Sequence, residues 1–90
     1  MFIRGIDVKA LNKLVEELRR RSLWAERHSY SIRIIYNNLI VASLHIYPGF
    51  NEAVLRLYGD AVSDAYVQNV ISEVLPRMLT GIKLRVVKVR

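Results

Sequence analysis

Ninety residues with 52% hydrophobic and 24% charged side chains fit a single domain, residues 1–90, and exclude wholesale disorder, because the chain has enough apolar material to offset ordering entropy. Lys plus Arg is 14 against 8 Asp plus Glu, a formal charge of +6 with a pI near 10.1, which makes polyanions the first partner class to consider. The absence of cysteine excludes disulfides, thiolate metal sites, Cys nucleophiles and iron–sulfur ligation, and no apolar run approaches the roughly 20 residues that span a bilayer.

The first predicted element is a helix over Val8–Ser22. Asp7 is its N-cap, since a carboxylate there accepts an orphan backbone N–H. Val8, Leu11, Leu14, Val15 and Leu18 fall at spacings of three and four and make one apolar stripe. Arg19, Arg20 and Arg21 occupy the last turn, where cations complement the negative helix end. Trp24 is expected to pack at the end of this helix.

A hairpin follows. Tyr30, Ile32 and Ile34 alternate with Ser29, Ser31 and Arg33, and Ile40, Ala42, Leu44 and Ile46 alternate with Val41, Ser43, His45 and Tyr47. Asn37-Asn38 marks the turn. A two-residue loop sets Ile34 opposite Val41 and Ile32 opposite Ser43, the apolar face of one strand against the polar face of the other. A three-residue loop, Tyr36-Asn37-Asn38, pairs Ile35 with Leu39, Ile32 with Ala42 and Tyr30 with Leu44, so both apolar sets share one side. The three-residue loop is therefore the expectation.

Pro48-Gly49 signals the next turn, and a third strand covers Glu52–Tyr58. Asp60 caps a second helix from Ala61 to Leu75, extending at most to Leu79, with rows Val62, Tyr66, Val70, Val74 and Val67, Ile71, Leu75, Met78. Pro76 removes a helical hydrogen bond and predicts a kink or an early stop. A last strand, Ile82–Val89, turns Ile82, Leu84 and Val86 inward and Lys83 and Arg85 outward. Its Val86-Val87 pair suggests a bulge or two-sided burial. The predicted fold is α+β: a two-layer sandwich of order α-β-β-β-α-β, with a mainly antiparallel sheet and two helices on one face. The last strand runs parallel to the third and to the first; three neighbours remain open to it, namely the first strand, the third, or a second chain.

The helix–three strands–helix order over residues 7 to 79 resembles that of double-stranded RNA-binding domains, which hold phosphates with lysines at the start of the second helix. Here that position reads Gly59-Asp60-Ala61-Val62-Ser63-Asp64, which is acidic and repels phosphate, so no residue role is carried over. A Gly-x-x-Gly clamp and the aromatic motif of RNA-recognition-motif strands are both absent from the sequence.

The sequence carries few catalytic signals. His28 and His45 lack metal-ligand spacing, and no nucleophile elbow, P-loop or dinucleotide glycine pattern occurs. The expectation is a non-enzymatic protein without metal or cofactor. The first residues lack a long apolar stretch with a cleavage site, and the expected compartment is the cytoplasm. The most informative feature is the sheet face away from the helices. It is expected to carry Ser29, Ser31, Arg33, Ile35, Leu39, Val41, Ser43, His45 and Tyr47, with Arg56, Tyr58, Lys83 and Arg85. Arginines and lysines neutralise phosphates and tyrosines stack on bases. The expected function is binding of RNA or single-stranded DNA through Arg33, Tyr47, Arg56, Tyr58, Lys83 and Arg85. The alternative is a protein-interaction module or homodimeric assembly subunit, since Ile35, Leu39, Val41 and Val87 also make this face apolar.

Overall fold

The computed structural model describes residues 7–89; the start of the chain, read above for a leader, and Arg90 lie outside the described residues. Helix α1 spans Val8–Arg20, with the Asp7 carboxylate accepting from Lys9 N–H at 3.0 Å. Leu11, Leu14, Val15 and Leu18 are buried, whereas Val8, expected in the same stripe, is half exposed. The helix stops before Ser22 because Ser22 turns left-handed at φ 69°. Its N–H bonds to the Arg19 carbonyl at 3.1 Å, and Leu23 N–H bonds to the Leu18 carbonyl at 3.0 Å. This pair of bonds is a Schellman cap, and Leu18 and Leu23 are both fully buried beside it.

The chain then enters a strand that the apolar pattern did not reveal. Strand β1, Trp24–His28, pairs antiparallel with β2, Ser31–Tyr36, through the two-residue loop Ser29-Tyr30. Of the two inward positions of β1, one is the small Ala25 and the other is Arg27, whose Nε donates to Asn12 Oδ1 of α1 at 3.1 Å. A strand whose inner face is Ala and Arg lacks the large apolar residues that announce alternation. Ser29 and Tyr30 consequently leave the strand. Tyr30, expected opposite Leu44, sits in the loop with its carbonyl accepting from Ile46 N–H at 2.9 Å.

The β2–β3 hairpin overturns the expected three-residue loop. Strand β3 covers Leu39–Tyr47, and Tyr36 pairs with Leu39 across a two-residue turn in which Asn37 and Asn38 both take positive φ, 52° and 64°. This is the backbone of a type I′ turn, whose twist matches that of the strands. The demand for matched apolar faces is met elsewhere. Ile35 pairs with Ile40 but Ile34 pairs with Ala42, so Val41 is an extra residue in β3. The bulge restores Ile34–Ala42 and Ile32–Leu44 to one side. It also explains why the consecutive Val41 and Ala42 are both buried, and why Ile40, expected inside, lies outside at 54% exposure. Leu39, expected on the open face, pairs with Tyr36 at the exposed tip of the hairpin, and Val41 is in the core.

A 3₁₀ turn at Pro48–Phe50 leads into β4, Glu52–Leu57, antiparallel to β3. Helix α2, Ala61–Met78, is capped by Asp60, which accepts from Ser63 N–H at 2.8 Å. Asp64, buried, accepts from Gly59 N–H at 3.0 Å. Gly59 is tightly placed there, since a Cβ would stand 3.2 Å from Ser63 Cβ and 3.3 Å from that carboxylate. Val62, expected in the apolar row, is exposed. Pro76 does not end the helix at Leu75; the helix runs on to Met78. Strand β5, Lys83–Lys88, lies parallel beside β4 in unbroken register, without a bulge at Val86-Val87.

The sheet is mixed and mostly antiparallel, in order β1-β2-β3-β4-β5, and the expected α-β-β-β-α-β series becomes α-β-β-β-β-α-β, which also departs from the RNA-binding-domain order. One buried cluster joins Leu11, Leu14 and Leu18 of α1 and Val67, Ile71 and Leu75 of α2 to Ala25, Ile32, Ile34, Leu44, Leu55 and Leu57 of the strands. Tyr36 of β2 and Tyr66 of α2 stack at 5.5 Å between centroids.

The turn geometry predicts that N37A lowers stability by about 1 kcal/mol, because a Cβ without a local polar partner is strained at positive φ, while N38G raises it by about 0.5–1 kcal/mol. Thermal unfolding reads both, at about 4–8 °C per kcal/mol for a domain of this size. A three-residue loop requires no positive φ at Asn37 and predicts no cost for N37A.

Candidate binding face on the sheet

The register sorts the outer face of the sheet into cross-strand rows. The first row is Trp24, Ile35, Ile40. The second is Glu26, Arg33, Ser43, Arg56, Val87, and the third is His28, Ser31, His45, Val54, Arg85. The fourth is Tyr47, Glu52, Lys83. Apart from Val41 at the bulge, no residue of this face belongs to the buried core cluster. Val54, in the third row, is only 4% exposed and stands outside that cluster.

All six residues singled out from the sequence lie on this face. Arg33 comes from β2, Tyr47 from β3, Arg56 from β4, and Lys83 and Arg85 from β5. Tyr58 follows β4; its N–H bonds to the Val41 carbonyl at 2.8 Å, and its Oη lies 3.0 Å from Ser43 Oγ. The bulge thus holds the end of β4 and turns the Tyr58 ring over the second row. Strand spacing puts Arg33 and Arg56 about 10 Å apart, and Arg56 and Arg85 about 8 Å apart, at Cα. Among the described residues Arg56, Lys83 and Arg85 make no salt bridge, and Arg33 has one loose contact, 3.8 Å to Glu26.

The arginines that are densest in the sequence are occupied elsewhere. Arg19 donates to the Ala25 carbonyl through Nε and Nη2 at 3.1 and 2.8 Å and lies over the Trp24 ring at 4.0 Å. Arg20 pairs with Glu17 at 3.0 Å. Arg21 forks onto Glu73 at 3.1 and 2.9 Å and ties α1 to α2. Arg27 bridges Asn12 and the Ser29 carbonyl.

Sequence reasoning missed a concavity on the β1–β2–β3 side of the face. It is open, about 620 Å³, and its walls include Glu26, His28, Ser31, Arg33, Ser43, His45 and Tyr58. Ser31 Oγ lies 2.9 Å from His45 Nδ1 across the β2–β3 pair. His28 and Glu26 enter only because β1 exists, so no strand signal pointed to them. Trp24, expected to pack at the helix end, does lie under Arg19 of the last turn of α1, but it is half exposed and also donates through Nε1 to Glu26 Oε2 at 3.2 Å. Among the described residues no three His, Cys, Asp or Glu side chains gather as a metal site, and no helix is long and apolar enough to cross a membrane. Compared with protein-family models, with curated proteins and with solved structures, the chain matches none.

The Arg21 fork predicts a pH effect on stability. Its hydrogen bond, and then its charge, hold the Glu73 carboxyl below the ordinary carboxylate value. A carboxyl depressed in the folded state stabilises the protein above its ordinary titration and loses that contribution as pH falls through the depressed value. From about pH 5 to pH 3 the wild type therefore loses more stability than E73Q, measured by urea unfolding at each pH. Equal losses contradict the clamp.

Proposed function

We propose that the outer sheet face binds single-stranded nucleic acid. One observation carries the reading: four cations from three strands, Arg33, Arg56, Lys83 and Arg85, share a face with Tyr47 and Tyr58, and three of the four make no salt bridge among the described residues. Arg33, Arg56, Lys83 and Arg85 take phosphates, with the guanidinium fork suited to two oxygens at once. Tyr58 and Tyr47 offer rings for base stacking, worth about 1–3 kcal/mol per base. Glu26 and Glu52 interrupt the positive field and limit where phosphates sit.

A second reading, docking of a protein partner or a second copy, is favoured by the apolar corner of Trp24, Ile35 and Ile40, of which Trp24 and Ile40 are at least half exposed. The two readings separate by light scattering with and without oligonucleotide.

Fluorescence anisotropy with labelled single-stranded RNA and DNA tests the first. Four phosphate contacts predict a slope of log K against log salt near −3, since each contributes about −0.7 on a single strand. R56A and R85A each weaken binding about fivefold to tenfold, equivalent to about 1–1.4 kcal/mol, and each makes the slope shallower by about 0.7. No binding at low salt, or binding indifferent to salt, overturns the reading.

A further inference from the structure

The β1–β2–β3 side of the face is a grid three strands wide and two rows deep. Glu26 and His28 come from β1, Arg33 and Ser31 from β2, and Ser43 and His45 from β3. Neighbours stand about 5 Å apart across the strands and about 7 Å along them. Ser31 sits between the two histidines, and Arg33 lies next along the same strand. A phosphate over Arg33 and Ser31 has one imidazole on each side. That is the arrangement an in-line displacement at phosphorus requires, with nucleophile and leaving group at opposite poles. Tyr58 and Ile40 line the same concavity and offer a ring and an apolar surface to a base.

Resting on the binding reading above, we infer that this concavity cleaves RNA by attack of a ribose 2′-hydroxyl on its own 3′-phosphate. The 2′-oxygen forms a bond to phosphorus and its proton passes to His28. The bond from phosphorus to the 5′-oxygen breaks, and His45 gives that oxygen a proton. The products are a 2′,3′-cyclic phosphate and a free 5′-hydroxyl, and atoms and charge balance without a co-reactant. Charged His45 donates Nδ1–H to Ser31 Oγ, the 2.9 Å contact, which leaves Nε2–H for the departing oxygen. Arg33 neutralises the charge growing on the non-bridging oxygens, where preorganised donors count most. Glu26, opposite Arg33 and 3.8 Å from its guanidinium, orients that guanidinium over the phosphate.

Strands that are deoxy throughout lack the nucleophile, so the probe is a DNA oligonucleotide with a single ribonucleotide, end-labelled, in buffer with EDTA. The expected result is one cut, 3′ of the ribonucleotide, leaving a cyclic phosphate identifiable by mass. A 2′-O-methyl residue at that position stays intact. H28N and H45N each lower the rate at least about 100-fold, the usual weight of a general acid or base, while both variants keep their thermal midpoint and their anisotropy binding of the 2′-O-methyl strand. The rate follows a bell in pH, since one imidazole acts neutral and the other charged. Glu26, Arg27, Arg33 and Tyr58 are the other charged and titratable groups lining the concavity with those rings, Arg56 and Arg85 stand in the same two cross-strand rows, and E26Q shifts the bell. Binding of the 2′-O-methyl strand without cleavage of the ribonucleotide strand overturns this inference and leaves the binding reading standing. Cleavage that survives in the H28N/H45N double variant also overturns it. Absence of both binding and cleavage sinks the two together.

Discussion

The outer face depends on one extra residue in β3. An Asn-Asn turn with two positive φ angles closes the hairpin tightly and sets Tyr36 against Leu39. Continued without interruption, that register places Ser43 beside Ile32 and drives polar side chains toward the core. Sheet side chains alternate with period two, so a slip of one residue exchanges the faces. Val41 absorbs the mismatch as a bulge, keeps Ala42, Leu44 and Ile46 inside, and leaves Ser43, His45 and Tyr47 outside. Its carbonyl then receives Tyr58 N–H, so the bulge also sets the aromatic rim of the concavity.

Parts of this were legible in the sequence because they are local. Asp7 and Asp60 cap helices where a carboxylate precedes an apolar period, and the stripe from Leu11 to Leu18 marks the buried side of α1. The six face residues were legible by parity, since alternation alone assigns Arg33, Arg56 and Arg85 to one side of their strands. The register was not. Two solutions, a longer loop or a bulge, satisfy the same requirement for matched faces, and choosing between them needs the energy of the turn as well as the pattern. Strand β1 was hidden because its inner face is Ala25 and Arg27, which bury little apolar area; its place is secured by pairing with β2 and by Arg19 and Arg27 reaching to backbone carbonyls. The concavity was lost with it, because Glu26 and His28 belong to that strand.

Charge density along the chain proved a poor guide to charge on the surface. The run Arg19-Arg20-Arg21 dominates the sequence, yet its members are spent on the Ala25 carbonyl, Glu17 and Glu73. Cations spaced two apart or on different strands carry the face instead. Arg fits both tasks: its planar fork satisfies a carbonyl or a carboxylate within the fold as well as a phosphate outside it. The distinction lies in whether an acceptor of the protein itself is within reach, and a linear sequence does not display that.

The face and the helical layer offer surfaces of different chemistry to a polyanion, and ¹⁵N chemical-shift mapping tells them apart most directly. Titration of the labelled protein with a short single-stranded 2′-O-methyl RNA is predicted to move the amides of Arg33, Ser43, His45, Arg56 and Arg85 and to leave the exposed side of α1 and α2 unmoved. Perturbations centred on Lys9, Lys13 and Arg20 of α1, with the strand amides unchanged, would contradict the account.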